Sequence, residues 1–344
     1  MPSGLRIVIA GAGAIGRTVT YVLARAGHAV TVVDPDFESA NASRIAAGML
    51  APAFEALFDG GRYELLHNAL GLWRPLAREI GVSVAWDGGM VVGTRAEAEG
   101  WAAELAAQGA EAELRDLGWD RWAAFCDIDR QIDPTLALLA LRQAAERLGA
   151  RFVTGRVTGF ASAVAHLEGA DSIAADALVI ATGAGRDLAA VAPELARLTP
   201  IKGHILRAGN AFSGIPVVRS SDVYLCRTSE GTFLGATMEM GRDDSEVDPA
   251  IAEDLLARAA TLSDGLQRLN WTAFAGVRAA TPDGLPMVGE GATAGVILAV
   301  GARRNGWLLA PTIAEVVLDA VEGRPKSAVA ELFAPSRFAH VSPG

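Results

Sequence analysis

Apolar and polar positions along this chain alternate between a two-residue and a 3.6-residue period, and each switch predicts a new element. Leu5-Arg6-Ile7-Val8-Ile9-Ala10 is a short β-branched run of the kind that forms a parallel strand buried on both faces. It breaks into Gly11-Ala12-Gly13-Ala14-Ile15-Gly16, resumes at helical spacing to Ala26 and stops at Gly27. Ala29-Val30-Thr31-Val32-Val33 is a second strand, ending on Asp34. After a loop at 35–41, residues 42–52 are crowded with small side chains and read as an Ala-rich helix start. Residues 61–79 are helical, with Leu65, Leu66, Ala69, Leu72 and Leu76 on one side and Pro75 as a kink point.

From residue 82 the texture changes. Val82-Ser83-Val84-Ala85-Trp86 and Met90-Val91-Val92 predict two strands around an Asp87-Gly88-Gly89 turn. Residues 95–108 form an amphipathic helix closed by Gly109. Asp133 caps a helix with Pro134 at its first position, running to Leu148 and stopped by Gly149. Short strands at 151–153 and 155–160 precede Ala177-Leu178-Val179-Ile180, a buried strand running into Ala181-Thr182-Gly183. Strands at 201–205, 217–218, 223–227 and 232–237 suggest an antiparallel sheet. Asp248-Pro249 opens a helix through Thr261, and residues 271–277 and 296–300 are strands. A helix at 307–321 closes the fold, and the tail after Gly323 reads as a short surface extension. The class is α/β: a discontinuous Rossmann-like domain over 1–81, 133–200 and 268–344, and an antiparallel-sheet domain over 82–132 and 201–267.

Composition narrows the partners. The 344 residues are 51% apolar and 20% charged with a net charge of −10, which speaks against nucleic acid or an anionic membrane as the main partner. Cys126 and Cys226 cannot build a disulfide framework and read as small buried thiols in a reducing compartment. His28, His67, His166, His204 and His340 lack metal-ligand spacing, so no metal site is expected. No stretch reaches the ~18 unbroken apolar residues of a membrane span. The run at Leu5 is too short for a signal peptide, so the chain is expected in the cytoplasm.

The first sixteen residues carry the chemistry. G-x-G-x-x-G between a strand and a helix is a dinucleotide fingerprint: Gly11 permits the turn, Gly13 lets backbone approach a pyrophosphate, and Gly16 lets the helix lie on the strand. Asp34, 18 residues past Gly16, is placed to accept ribose hydroxyls and to repel a 2′-phosphate. NADP is thereby disfavoured, while FAD and NAD remain.

Four segments resemble the D-amino-acid oxidase superfamily of FAD-dependent amine oxidases, the glycine oxidases most of all. They are Gly11 to Asp34; Ala46-Ala47-Gly48-Met49-Leu50-Ala51-Pro52; Gly276-Val277-Arg278-Ala279-Ala280-Thr281-Pro282-Asp283-Gly284-Leu285-Pro286; and Arg304-Asn305-Gly306-Trp307-Leu308-Leu309-Ala310-Pro311. The resemblance implies noncovalent FAD, with Ala14, Ile15, Val157, Thr182 and Gly183 added to the glycines and Asp34 at the nucleotide end. Ala47, Gly48 and Met49 would lie against the flavin ring, and Arg304, Asn305, Gly306, Trp307 and Leu308 would edge it. Arg278 would clamp a substrate carboxylate, Tyr224 would add a hydroxyl and Arg304 would stand beside the pocket. A guanidinium suits the clamp because its fork meets both carboxylate oxygens. Ala302-Arg303 stands where the family often has an aromatic or histidine-aromatic pair, which changes the pocket wall and adds charge. The strand of Tyr224 is one residue shorter than usual before Gly235, and such a slip turns a side chain to the other face.

The implied reaction is oxidation of a small amino acid, glycine first, then sarcosine or small D-amino acids. Its products would be the α-keto acid, ammonia and, with molecular oxygen as acceptor, hydrogen peroxide, in a thiamine-related role. The alternative is a dehydrogenase of the same fold serving another electron acceptor. A homo-oligomer is compatible with either.

Overall fold

A computed structural model of the chain describes residues 4–38, 41–58, 60, 62–85, 87–169, 171–209 and 217–339; Gly61, Trp86 and His340 lie outside the described residues. The opening strand–helix–strand unit forms as expected, as Arg6–Ala10, Ala14–Arg25 and Ala29–Asp34. Arg6–Ala10 lies between Ala29–Asp34 and Ala177–Ile180 and parallel to both, with Ile7 opposite Val30 on one side and Ala177 on the other. The six-stranded sheet runs Met287–Glu290, Val296–Val300, Ala177–Ile180, Arg6–Ala10, Ala29–Asp34, Arg151–Thr154. Met287–Glu290 is its antiparallel edge strand.

Alternation explains why the central strand is apolar throughout. Ile7 and Ile9 pack toward Val22 of the first helix, Leu138 of Pro134–Arg147 and Leu309 of Gly306–Val321. Val8 and Ala10 face the other way, onto Phe160 and Leu167 of a three-stranded meander. Each fully buried Val or Ile side chain contributes roughly 1.5–3 kcal/mol.

The second large sheet has Thr199–Ala208 as its spine, paired along its length with Thr272–Ala280 and on the other edge with Gly231–Gly235 and Glu239–Met240. It continues through Tyr224–Thr228, Val217–Arg219, Gly89–Gly93, Arg121–Cys126 and Glu113–Gly118. It is antiparallel except where Val217–Arg219 runs parallel to Gly89–Gly93, a mixed sheet where a purely antiparallel one was expected.

Other expectations need correction. The strands flanking Asp87-Gly88-Gly89 do not form a hairpin: Val84–Ala85 pairs with Arg130–Ile132, while Gly89–Gly93 pairs with Arg121–Cys126. Gly88, at φ +71° and pressed against the Phe125 ring, redirects the chain from one sheet to another instead of folding it back. The Ala-rich segment is one helical turn, Ala42–Ile45, followed by extended backbone at Ala46 and the short strand Met49–Leu50. Gly48 enforces this, since at φ +69° a Cβ there would stand 2.0 Å from the Ile132 carbonyl oxygen. Among the described residues, through Ala339, the tail is no surface extension either. Ala328–Phe333 is a helix whose Phe333 is fully buried, and Phe338 packs under the parallel sheet. Arg337 fastens that end through Asp283 at 2.8 Å and the Leu285 carbonyl at 3.0 Å.

Candidate active site

Two adjoining cavities open at the carboxyl ends of the parallel strands, as expected for a nucleotide-binding sheet. The one at the glycine loop, about 230 Å³, is lined by Gly11, Gly13, Ala14, Ile15, Asp34, Thr182 and Gly183. The other, about 350 Å³, lies under the second sheet and is lined by Ala47, Gly48, Met49, Tyr224, Arg278 and Asn305, among others. Ala42, Ala46, Arg278, Arg304 and Trp307 line both, so the two form one continuous trough.

The nucleotide end is built by close backbone approach. A Cβ on Gly11, at φ +104°, would lie 2.4 Å from the Ala181 carbonyl oxygen, and one on Gly16 would lie 2.0 Å from that of Gly11. Gly13 begins the first helix and offers no side chain to cap its amides. Asp34 accepts from the Ala12 amide at 2.7 Å and the Asp36 amide at 2.9 Å, so it braces the loop and keeps lone pairs for a ligand. Ser43 ties this end to the other. Its hydroxyl accepts from the Ala14 amide at 3.0 Å and its carbonyl from Trp307 Nε1 at 3.0 Å. Gly306 lines the trough at the start of the closing helix, where a Cβ would meet only open space. Val157 and Leu308 line neither cavity: both are buried, Val157 in the first strand of the meander and Leu308 beside Trp73, whose indole donates to its carbonyl.

Arg278 stands on Thr272–Ala280, across from Ile201 in the spine strand. Its guanidinium lies over Gly203, where a Cβ would come within 2.6 Å of Nη1, and Nη1 donates to the Thr237 carbonyl at 3.3 Å. Burial, followed by the field of Arg304, lowers its pKa from the ordinary arginine value against the pull of Tyr224. Among the described residues no carboxylate pairs with it. Tyr224 pairs with Gly235 in the neighbouring strand, and its ring covers that glycine while lining the cavity. Burial pushes its phenol pKa up, so the hydroxyl is a neutral donor near neutral pH.

Sequence reasoning missed the centre of the charge arrangement. Glu55, on the short helix Pro52–Phe58, is 4% exposed and holds two arginines. Oε2 accepts from Arg304 Nε at 2.9 Å and Nη2 at 2.6 Å, and Oε1 accepts from Arg219 Nη1 at 3.1 Å. Burial raises its carboxyl pKa, but Arg304 and Arg219 together outweigh this and hold it below the ordinary value. One signal was available: Glu55 is the sole charge in Ala51-Pro52-Ala53-Phe54-Glu55-Ala56-Leu57-Phe58. Arg219, at the end of a short apolar strand, gave none. Asp129 anchors the start of that helix, accepting from the Ala53 and Phe54 amides at 2.9 and 3.2 Å, and burial raises its carboxyl to about 7.

The remaining candidates are structural. His204 is fully buried, with Nδ1 2.8 Å from Glu239 and Nε2 accepting from the Asp248 amide. Cys126 and Cys226 are buried free thiols, and neither lines the trough.

Comparison with known proteins agrees with this geometry. The chain is 30% identical over 92% of its length to the bifunctional protein ThiO/ThiG of Nostoc sp., and it spans about half, 52%, of that relative. It is 28% identical to the glycine oxidase of Geobacillus kaustophilus, covering 92% of each chain. The crystal structure of that organism's glycine oxidase superposes with a TM-score of 0.85, covering 97% of this chain and 99% of the other. A D-amino acid dehydrogenase of Cereibacter sphaeroides is 27% identical, covering 93% of this chain and 92% of its own. The family model described as FAD dependent oxidoreductase matches residues 6–320. With a trough whose close-packed glycines fit a dinucleotide, the chain belongs to the D-amino-acid oxidase (DAO) family of FAD-dependent oxidoreductases.

Proposed function

We propose that this enzyme oxidises small amino acids, glycine among them, with water and oxygen giving the α-keto acid, ammonia and hydrogen peroxide. The observation that carries the reading is the half-buried Arg278 guanidinium with no carboxylate partner among the described residues, at the junction of the two cavities. A buried cation of this kind calls for an anion, and a substrate carboxylate supplies one in bidentate geometry.

FAD, held without a covalent bond, supplies the two-electron acceptor. Gly11, Gly13, Asp34, Thr182 and Gly183 hold its nucleotide end, while Ala47, Gly48, Met49, Asn305, Gly306 and Trp307 line the flavin end. Arg278 grips the substrate carboxylate, and the neutral Tyr224 hydroxyl donates a second hydrogen bond. Arg304 and Arg219 occupy both oxygens of Glu55, which leaves the Arg278 clamp free for substrate. Positioning supplies most of the rate enhancement the protein provides, since the cofactor carries the redox chemistry. Residues 1–81, 133–200 and 268–344 then hold the dinucleotide, and residues 82–132 and 201–267 roof it. A place in thiamine synthesis is what the resemblance to the glycine oxidases implies.

The test is the visible spectrum of the purified protein, followed by peroxide release with glycine, sarcosine, D-alanine and D-proline. A protein that neither carries nor takes up FAD sinks the reading. The Cereibacter relative favours a second reading, transfer to a non-oxygen acceptor. Flavin reduction by amino acid, with dye reduction in place of peroxide in air, would select it.

A further inference from the structure

The charges around the larger cavity do not balance for a glycine-sized substrate, a point that bears on which amino acid the proposed oxidase takes and so rests on that proposed function. Three guanidiniums, those of Arg219, Arg278 and Arg304, line the cavity against one buried carboxylate, Glu55. Asp222 also lines it but is exposed to water, where its charge is screened. A single substrate carboxylate on Arg278 leaves one positive charge uncompensated in a wall that excludes much of the solvent, a costly arrangement.

The surplus sits on the Glu55 side. Arg304 gives Nε and Nη2 to the same Glu55 oxygen, and Arg219 gives Nη1 to the other. Among the described residues, the remaining N–H groups of Arg219 meet no further protein acceptor. Its guanidinium is held in place by ring faces, 5.0 Å from the Phe58 centroid and 6.0 Å from that of Tyr224. Arg278, Tyr224 and Arg219 line the same cavity, with Arg219 6.0 Å from the Tyr224 ring, so the two cations flank one space.

We propose that the preferred substrate is an amino acid carrying a second carboxylate. Arg278 takes the α-carboxylate, and Arg219, supported by Arg304 across Glu55, takes the other. Arg219 is the residue that selects this class. Among the side chains that line the cavity, exposed Asp222 aside, the second carboxylate brings the charge to zero, whereas a neutral side chain of the same size leaves it positive.

Anaerobic flavin reduction of the holoenzyme tests this with D-aspartate, D-glutamate and iminodiacetate against glycine, sarcosine and D-alanine. The expected result is a kcat/KM on the order of tenfold or more higher for at least one dicarboxylate, the worth of one charge-assisted hydrogen bond. Arg219→Gln should lower the dicarboxylate-to-monocarboxylate ratio by a similar factor. Independently of any variant, succinate should perturb the wild-type flavin spectrum at on the order of tenfold lower concentration than butyrate. Preference for the monocarboxylates, an Arg219→Gln effect equal on both classes, or equal binding of succinate and butyrate overturns the inference while leaving amino acid oxidation intact. If no amino acid reduces the flavin, the functional reading itself falls and takes this inference with it.

Discussion

Replacing Glu55 by Gln keeps the side chain's shape and removes the charge that holds Arg219 and Arg304 together. The exposures of the three side chains are 5%, 10% and 18%, so water compensates little for the loss. Breaking a buried ion pair from one side costs about 3–5 kcal/mol, and the amide oxygen retained by Gln favours the lower end. At about 2 °C per kcal/mol for a chain of this size, the Tm should fall by roughly 6 °C near neutral pH. The pH dependence supplies an internal control. The Glu55 carboxyl lies below its ordinary value in the folded protein. Its stabilisation is therefore complete above the unfolded value of about 4.3 and is lost as pH falls through the folded value. The wild-type and variant melting curves should converge on acidification. A Tm for Glu55→Gln within about 1 °C of wild type near neutral pH would refute the reasoning, because no desolvated pair could be broken so cheaply.

Other perturbations probe the remaining parts of the molecule. Arg278→Met should retain FAD while losing about 100-fold or more in kcat/KM for amino acids, since it removes a half-buried charged partner worth at least ~3 kcal/mol. Gly11→Ala should yield largely colourless protein by absorbance, because its Cβ would press on the Ala181 carbonyl at a positive φ. Phe333→Ala, in the C-terminal helix, should cost ~3–5 kcal/mol in denaturant unfolding, whereas a mere extension would leave stability unchanged. Asp129 has a carboxyl raised to about 7, so between its unfolded value and about 7 the folded state binds the extra proton and stability falls as pH rises. Asp129→Asn should flatten that slope in pH-dependent melts, and an unchanged slope would show that Asp129 is not its source.

The legible parts of the chain are those that local sequence alone determines. The apolar run through Ala10, the glycines at 11, 13 and 16 and the Asp133-Pro134 helix start each specify backbone within a few residues, and each formed where expected. The elements that went astray depend on distant partners. Val84–Ala85 had no local reason to prefer Arg130–Ile132 over the strand just beyond the turn, and Arg337, just past the tail helix, is held by Asp283 and Leu285, some fifty residues earlier. Within the site, Arg278 could be singled out because a motif surrounds it. The union of Glu55 with Arg219 and Arg304 spans 164 and 249 positions of sequence, and no local pattern records it.

Ser43 serves two masters through two different atoms, its hydroxyl holding the Ala14 amide and its carbonyl holding the Trp307 indole. The glycine loop and the Trp307 wall of the larger cavity are thus clamped by one small residue of a single helical turn. Shedding the cofactor would slacken that clamp at both ends at once, so the substrate chamber should dissolve along with the nucleotide cleft. Excess FAD during purification and storage would then preserve the larger cavity as well as the colour.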